Sequence, residues 1–251
     1  MLQSSNSVCH WTAGVPTRRP ETLPSAVCEK GELRIVDLTK VLDPATESRR
    51  CRLWRYNTGG AIPDFHTIMD LTSHLGTHCE CPYHHDDEWP SVAELPLTNF
   101  LGRGLYAILD LPPNHQITGQ DLEQAIGQRV RPGDTVILDS PHKLAPFTPA
   151  TNGPQDHRLV VGEDSANWFA EHKVQCVGFG DGVSIEDCVE NVKPFHDILM
   201  AQNILFLEVL QNLEKLTKET FFISYAPLPI VGLDSCPVRV YAIEGLAEFN
   251  S

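Results

Sequence analysis

Short apolar runs closed by glycine or proline recur along this 251-residue chain, and few of the stretches between them carry a helical period. LRIVDLT (33–39) is apolar and β-branched and ends near Pro44. FHTIMDLTSHLGTH (65–78) alternates until Gly76, which suggests a strand that bends where the backbone approaches something closely. GLYAILDL (104–111) is closed by Pro112 and Pro113, and RPGDTVILD (131–139) reads as a turn followed by a strand. VQCVGFG (174–180), ILFLEVL (204–210), FFISYAPL (221–228) and VRVYAIEG (238–245) complete the strands. Thr118 opens a helix, TGQDLEQAIG, with Asp121 three residues on as in a capping box and Leu122, Ala125 and Ile126 as its apolar stripe. DSANWFAEHK (164–173) turns Trp168 and Phe169 inward, and FHDILMAQN (195–203) is a short helix. Strands outnumber helices, and the helices interrupt them irregularly. The pattern therefore predicts a mixed α/β sheet protein rather than a strict βαβ array.

The chain is long enough for one large domain, placed at 33–251, behind an N-terminal arm at 1–32. That arm is Ser/Pro/Thr-rich and has no apolar core of a signal peptide. It reads either as a floppy tail or as an arm laid on a neighbouring subunit. A net charge of −14 argues against nucleic acid, whose binding rests on Lys and Arg neutralising phosphates. No apolar run approaches the roughly 18–20 residues of a membrane span. The eight cysteines come without a secretion signal, and a chain this size does not need disulfide staples, so they read as free thiols in a reducing cytoplasm. Cys79 and Cys81 lack a second pair at zinc-knuckle spacing. No G-x-G-x-x-G follows a strand and no P-loop is present, so nothing points to a nucleotide.

Chemistry concentrates in HLGTHCECPYHH (74–85). In an extended segment His78 and Glu80 share one face, while Cys79 and Cys81 point the other way into packing. His74 reaches the same face across the bend at Gly76. Two imidazoles and a carboxylate suit zinc, manganese or iron(II), and three protein ligands leave positions open for water and substrate. The competing reading is a His-rich surface loop or a set of satisfied core histidines. Glu208 is the second signal. Its own strand face carries Phe206 and Leu210, and a charged carboxylate there needs a cation, either an arginine such as Arg239 or a metal. His196 lies twelve residues before it. Asp181, between glycines, reads as a turn former, His85 as a bystander, and His66, His115, His142, His157 and His172 as structural or solvated. There is no G-x-S-x-G nucleophile elbow.

H-L-G-T-H-C-E-C-P-Y-H resembles the H-x-G-T-H-x-D-x-P-x-H signature of the metal-dependent cyclase family, which includes kynurenine formamidases and isatin hydrolases. The resemblance runs from about residue 34 to 245, through RIVDLT, PLTNFLGRGLYAILDL, VGFGDGVSIED, FHDILMAQNILFLEVLQNLEKL and APLPIVGLDSCPVRVYAI. It implies a swivelling β/β/α domain with a mixed or barrel-like sheet and peripheral helices, assembled as a homodimer or homotetramer with pockets lined by a neighbour's arm. It implies His74, His78 and Glu80 as ligands of a first divalent metal, zinc or manganese. Glu80, His196 and Glu208 would serve a second, giving one or two metals per chain. His84 is implied as the catalytic acid/base and Trp54 as an aromatic against a small-molecule substrate. The implied activity is hydrolysis of a small amide, lactam or ester; a cyclase or dehydratase reaction and a non-catalytic binding role are the alternatives. This chain departs from the signature at Glu80, where the family has Asp. The extra methylene adds about 1.5 Å of reach.

Overall fold

The computed structural model describes residues 12–13, 22–59, 64–186 and 189–249. Its strands are β1 (Thr12–Ala13), β2 (Val27–Lys30), β3 (Leu33–Asp37), β4 (Cys51–Asn57), β5 (Phe65–Leu71), β6 (His78–Glu80), β7 (Leu101–Ile108) and β8 (Thr135–Asp139). They continue as β9 (Leu159–Val160), β10 (Cys176–Phe179), β11 (Val183–Ser184), β12 (Leu205–Glu208), β13 (Thr220–Ser224), β14 (Ser235–Pro237) and β15 (Tyr241–Glu244). Three α-helices of the described residues, α1 (Gly119–Ile126), α2 (Glu163–Glu171) and α3 (Val189–Met200), lie between them.

Ten strands form one sheet in the order β14-β6-β12-β10-β8-β7-β13-β15-β3-β2. Its middle, β12-β10-β8-β7, is parallel, and antiparallel pairs extend it on both sides. Parallel strands need both faces covered, and the alternation of side chains supplies two cores. Val136, Leu138, Val177 and Phe206 point to one face, where Leu122, Phe169 and Phe195 of the helices cover them. Ile137, Cys176, Leu205 and Leu207 point to the other. There they meet Val36 of β3, Phe221 and Ile223 of β13 and Ala242 of β15, so the sheet curls back on itself. This is the mixed α/β sheet that the pattern predicts, with the peripheral helices that the resemblance implies. Among the described residues no helix is long and apolar enough to cross a membrane.

Local signals fix several boundaries. Thr118 caps α1 by accepting the Asp121 N–H, and the Asp121 carboxylate returns a bond to the Thr118 N–H at 2.9 Å. Four differences stand out. Residues 27–30, assigned by sequence to the arm, form the edge strand against β3; most of the rest of 1–32 lies outside the described residues. β4, which the apolar pattern did not mark because Arg52 and Arg55 interrupt it, makes a hairpin with β5. The run 65–78 is two strands, β5 and β6, joined by a bend. α3 starts at Val189, six residues before the expected start at Phe195. Pro194 sits inside the helix, where its missing N–H costs one backbone bond and does not end it. His196 accordingly belongs to the helix interior rather than its start. Cys28, Cys51, Cys79, Cys81, Cys176 and Cys236 are free thiols.

Candidate metal centre

The bend before β6 is set by Gly76. Its φ is +58°, and a Cβ there would meet Leu42 Cδ2 at 2.5 Å, so only glycine fits the left-handed turn against that side chain. Beyond the bend, β6 is sandwiched between β12 and β14. Cys79 and Cys81 enter the curled-sheet core, as expected. His78 and Glu80 emerge on the helix-facing side, where the register sets Glu208 opposite His78 and Phe206 opposite Glu80. α3 lays His196 over that face, its ring centroid 4.7 Å from that of Phe206.

Four ionisable groups are thereby withdrawn from water: His78 is 0% exposed, Glu80 2%, His196 4% and Glu208 7%. Glu80 Oε1 lies 2.6 Å from His74 Nδ1 and 3.4 Å from His78 Nε2. Its Oε2 lies 3.6 Å from His196 Nε2, and Glu208 Oε2 lies 3.5 Å from His78 Nε2. The longer carboxylate thus faces both ligand groups. Arg239, the arginine weighed against a metal for Glu208, is exposed and pairs with Asp37 instead. His74, His78 and Glu80 form one set of donors within 4.8 Å of each other, and Glu80, His196 and Glu208 form another.

The tautomers show what this cluster is built to hold. His78 Nδ1 faces the Gly76 carbonyl at 2.7 Å, and His196 Nδ1 faces the Val192 carbonyl at 2.8 Å. A carbonyl accepts only, so each Nδ1 carries the proton in the neutral ring, and each Nε2 turns a lone pair toward a carboxylate. His78 Nε2 and Glu80 Oε2 are buried without a hydrogen-bond partner. Acceptors facing acceptors in a dry site call for a cation between them. Imidazoles anchored through Nδ1–H to backbone carbonyls are the arrangement typical of metal-ligating histidine. The donor set fits a divalent metal.

The charges without a metal follow from the same geometry. Burial works against the charged form of His74, but Glu80 and Asp234 outweigh it and hold the ring up at about 9. Burial likewise opposes the charge on Glu80, but the neighbouring rings of His196, His74 and His78 keep its carboxyl well below the usual range. Glu208 is pushed up to about 7 by burial and by neighbouring Glu80. The residue after it, Val209, has φ +56°, unfavourable for a β-branched side chain. Its carbonyl accepts the Thr77 hydroxyl at 2.7 Å, so the threonine of the H-L-G-T-H stretch pins the end of β12.

His84 follows β6 in a single 3₁₀ turn, Pro82–His84, and its ring centroid lies 4.5 Å from that of His74. His85 is not a bystander in position. It lines the same cavity, stacks on His196 at 4.7 Å and 9°, and holds Asp197 Oδ1 at 2.7 Å. Trp54 is the expected site residue that one chain does not bring to the centre. It sits on β4 opposite Ile68 of β5, in a separate three-stranded sheet, away from the residues lining the cavity.

Asp234 was missed by sequence reasoning. One oxygen, Oδ2, is 2.8 Å from His74 Nε2 and 3.4 Å from His84 Nδ1. His74 therefore has one nitrogen toward Glu80 and the other toward a second carboxylate, the carboxylate–histidine relay that orients metal ligands. Asp234→Ala is expected to weaken metal binding by roughly 10–100-fold in competition with a chromophoric chelator. Wild-type affinity in the variant would deny it this orienting part.

The comparisons with known proteins bear on the family and the fold. The family model described as putative cyclase matches residues 36–187. The kynurenine formamidase of Bordetella petrii is 23% identical over 192 residues, 74% of this chain and 84% of that protein. That of Geobacillus thermodenitrificans is 25% identical over 174 residues, 68% of this chain and 76% of its own length. Isatin hydrolase A from Labrenzia aggregata, solved with benzyl benzoate, superposes with a TM-score of 0.64 at 23% identity, covering 85% of this chain and 94% of that one. A protein from Bacillus stearothermophilus described as a predicted metal-dependent hydrolase gives a TM-score of 0.61 at 22% identity, covering 85% of this chain and 99% of that one. The fold is the one implied by the resemblance in residues 34–245.

Proposed function

The chain belongs to the putative cyclase family, and on that premise we propose that it is a metal-dependent hydrolase of a small amide, lactam or ester. The observation that carries this reading is the pair of orphaned buried acceptors, His78 Nε2 and Glu80 Oε2, in a donor set open to a cavity of about 690 Å³. A structural metal site closes its coordination sphere, whereas a catalytic one keeps an open position. The names of the formamidase and isatin hydrolase relatives support the amide or lactam choice.

In this reading His74, His78 and Glu80 would hold the metal, His196 and Glu208 would offer further donors beside Glu80, and zinc or manganese suits the set. The metal, when bound, supplies a water of lowered pKa and polarises the substrate carbonyl. His84 takes a proton from the attacking water as its oxygen bonds to the carbonyl carbon. It then returns the proton to the leaving nitrogen or oxygen as that bond breaks, leaving a carboxylic acid and an amine or alcohol. Asp234 keeps His74 and His84 in register with each other. We also read the chain as a homodimer or homotetramer acting in the cytoplasm. Phe65 and Met69 on β5 are exposed by 58% and 65%, and an apolar hairpin face of that kind suits a second copy.

Chelator treatment is expected to abolish hydrolysis across a panel of aryl formamides, lactams and aryl esters, and added zinc or manganese to restore it. Full activity in metal-free protein would sink the reading. Deuterium incorporation at carbon without net addition of water would replace it with a cyclase or dehydratase reaction.

A further inference from the structure

The cavity above the metal centre has a cationic wall that the hydrolytic steps leave unused. Arg49, in the loop before β4, lines it together with Phe147. Its Nη1 donates to the His74 carbonyl at 2.5 Å, and its guanidinium carbon lies 3.6 Å from the centroid of the Phe147 ring. The cation is thus fixed at two points, by the backbone of a metal-ligand residue and by an aromatic face. A guanidinium carries five N–H donors, and that carbonyl is the one hydrogen-bond acceptor Arg49 finds among the described residues. No described carboxylate lies within ion-pair distance of it, unlike its neighbour Arg50, which is bound bidentately to Asp70 at 2.7 and 2.6 Å.

The nearby acid has its ion pair with another arginine. Glu186 also lines the cavity and takes Arg158 Nη1 at 3.2 Å; burial pushes its carboxyl up, and the charges of Arg158 and, from further off, Arg49 pull against that. Phe147 itself sits at φ +58°, a left-handed conformation that a bulky side chain seldom adopts. Such outliers persist where the surroundings over-determine them, and ligand clamps are one such place. Here the result is an aromatic ring kept under the guanidinium.

We propose that Arg49, stacked on Phe147, is a carboxylate-binding subsite, and that the substrate is an anionic amide or lactam whose carboxylate it holds. This inference rests on the hydrolase reading. A planar fork with free donors matches a carboxylate bidentately, and a half-buried setting strengthens the bond. Because the clamp is anchored on the carbonyl of His74, whose imidazole faces the metal site, carboxylate and reacting carbonyl fit within one small molecule. For a chain of net charge −14, a local cation beside the metal is also what admits an anion against the general field.

The test compares 2-formamidobenzoate with neutral formanilide in metal-loaded wild type, Arg49→Met and Arg49→Lys. Both kcat/KM and calorimetric Kd are measured for each compound. Wild type is expected to prefer the carboxylate. That preference should fall about tenfold or more in Arg49→Met, chiefly through KM, and recover in part in Arg49→Lys, which keeps the charge and loses the fork. An unchanged preference ratio in Arg49→Met, or a wild type that favours formanilide, overturns the subsite. If neither compound is turned over, the hydrolase reading fails for aryl formamides, while the Kd ratios still decide whether Arg49 selects the anion.

Discussion

Replacement of His84 by asparagine is expected to lower kcat by roughly 10²–10⁴-fold and to leave the metal content of the protein unchanged. The imidazole lies half-buried at the end of the turn after β6. There it touches the one oxygen of Asp234 that also holds His74, at 3.4 Å. Burial, and the neighbouring His74, His85 and His196, push its pKa below the ordinary value near 6.5, against the pull of Glu80. A depressed pKa keeps the ring neutral at neutral pH and so competent to accept a proton from water. The sign of the pH dependence follows. In wild type the rate falls as pH drops through the His84 pKa, so the acid limb lies below about 6.5. In His84→Asn that limb is lost with the base. A variant that keeps kcat within a few-fold of wild type, with its acid limb intact, would remove His84 from proton transfer.

The legible part of this site is the part written locally. His78 and Glu80 could be placed on one strand face because a strand repeats every two residues, and the cysteines between them could be sent to the core for the same reason. Glu208 was visible because an acid among Leu, Phe and Val in ILFLEVL demands a partner. What the residues alone could not say was that the partner is His78 across a β-ladder rather than Arg239. Antiparallel register between β6 and β12, 130 residues apart in sequence, is decided by the whole sheet. Asp234 was illegible for a related reason. It lies in a loop, in a stretch without helical or strand period, and its meaning comes only from standing over His74 and His84. The place of His85 was illegible because its stacking partner, His196, arrives on α3, more than a hundred residues away in sequence. Trp54 shows the opposite limit: the resemblance sets it against a substrate, while within one chain it stands on β4 and is not among the residues lining the cavity.

Glu80 is the residue on which the whole centre turns, and Glu80→Ala is expected to strip it. Removing one partner from a buried charged cluster costs about 3–5 kcal/mol, which corresponds to roughly 10²–10⁴-fold in metal affinity. Activity should fall with the bound metal and recover at high metal concentration if the remaining donors still converge. Glu80→Asp separates the charge from its reach. In the native centre His78 Nε2 faces an oxygen of Glu80 at 3.4 Å and one of Glu208 at 3.5 Å, so a single cation among them reaches all three donors. The extra methylene of glutamate carries Oε2 to 3.6 Å from His196 Nε2, and a carboxylate reaching that far would leave less room for a second ion. Two bridged metals need about 3.5–4 Å between them. Elemental analysis is therefore expected to find one metal per native chain. Glu80→Asp, shorter by about 1.5 Å, should raise that count toward two, with His196 and Glu208 taking the second. Two metals in the native protein would show that glutamate bridges as an aspartate does. A full metal complement in Glu80→Ala would move the centre away from β6 altogether.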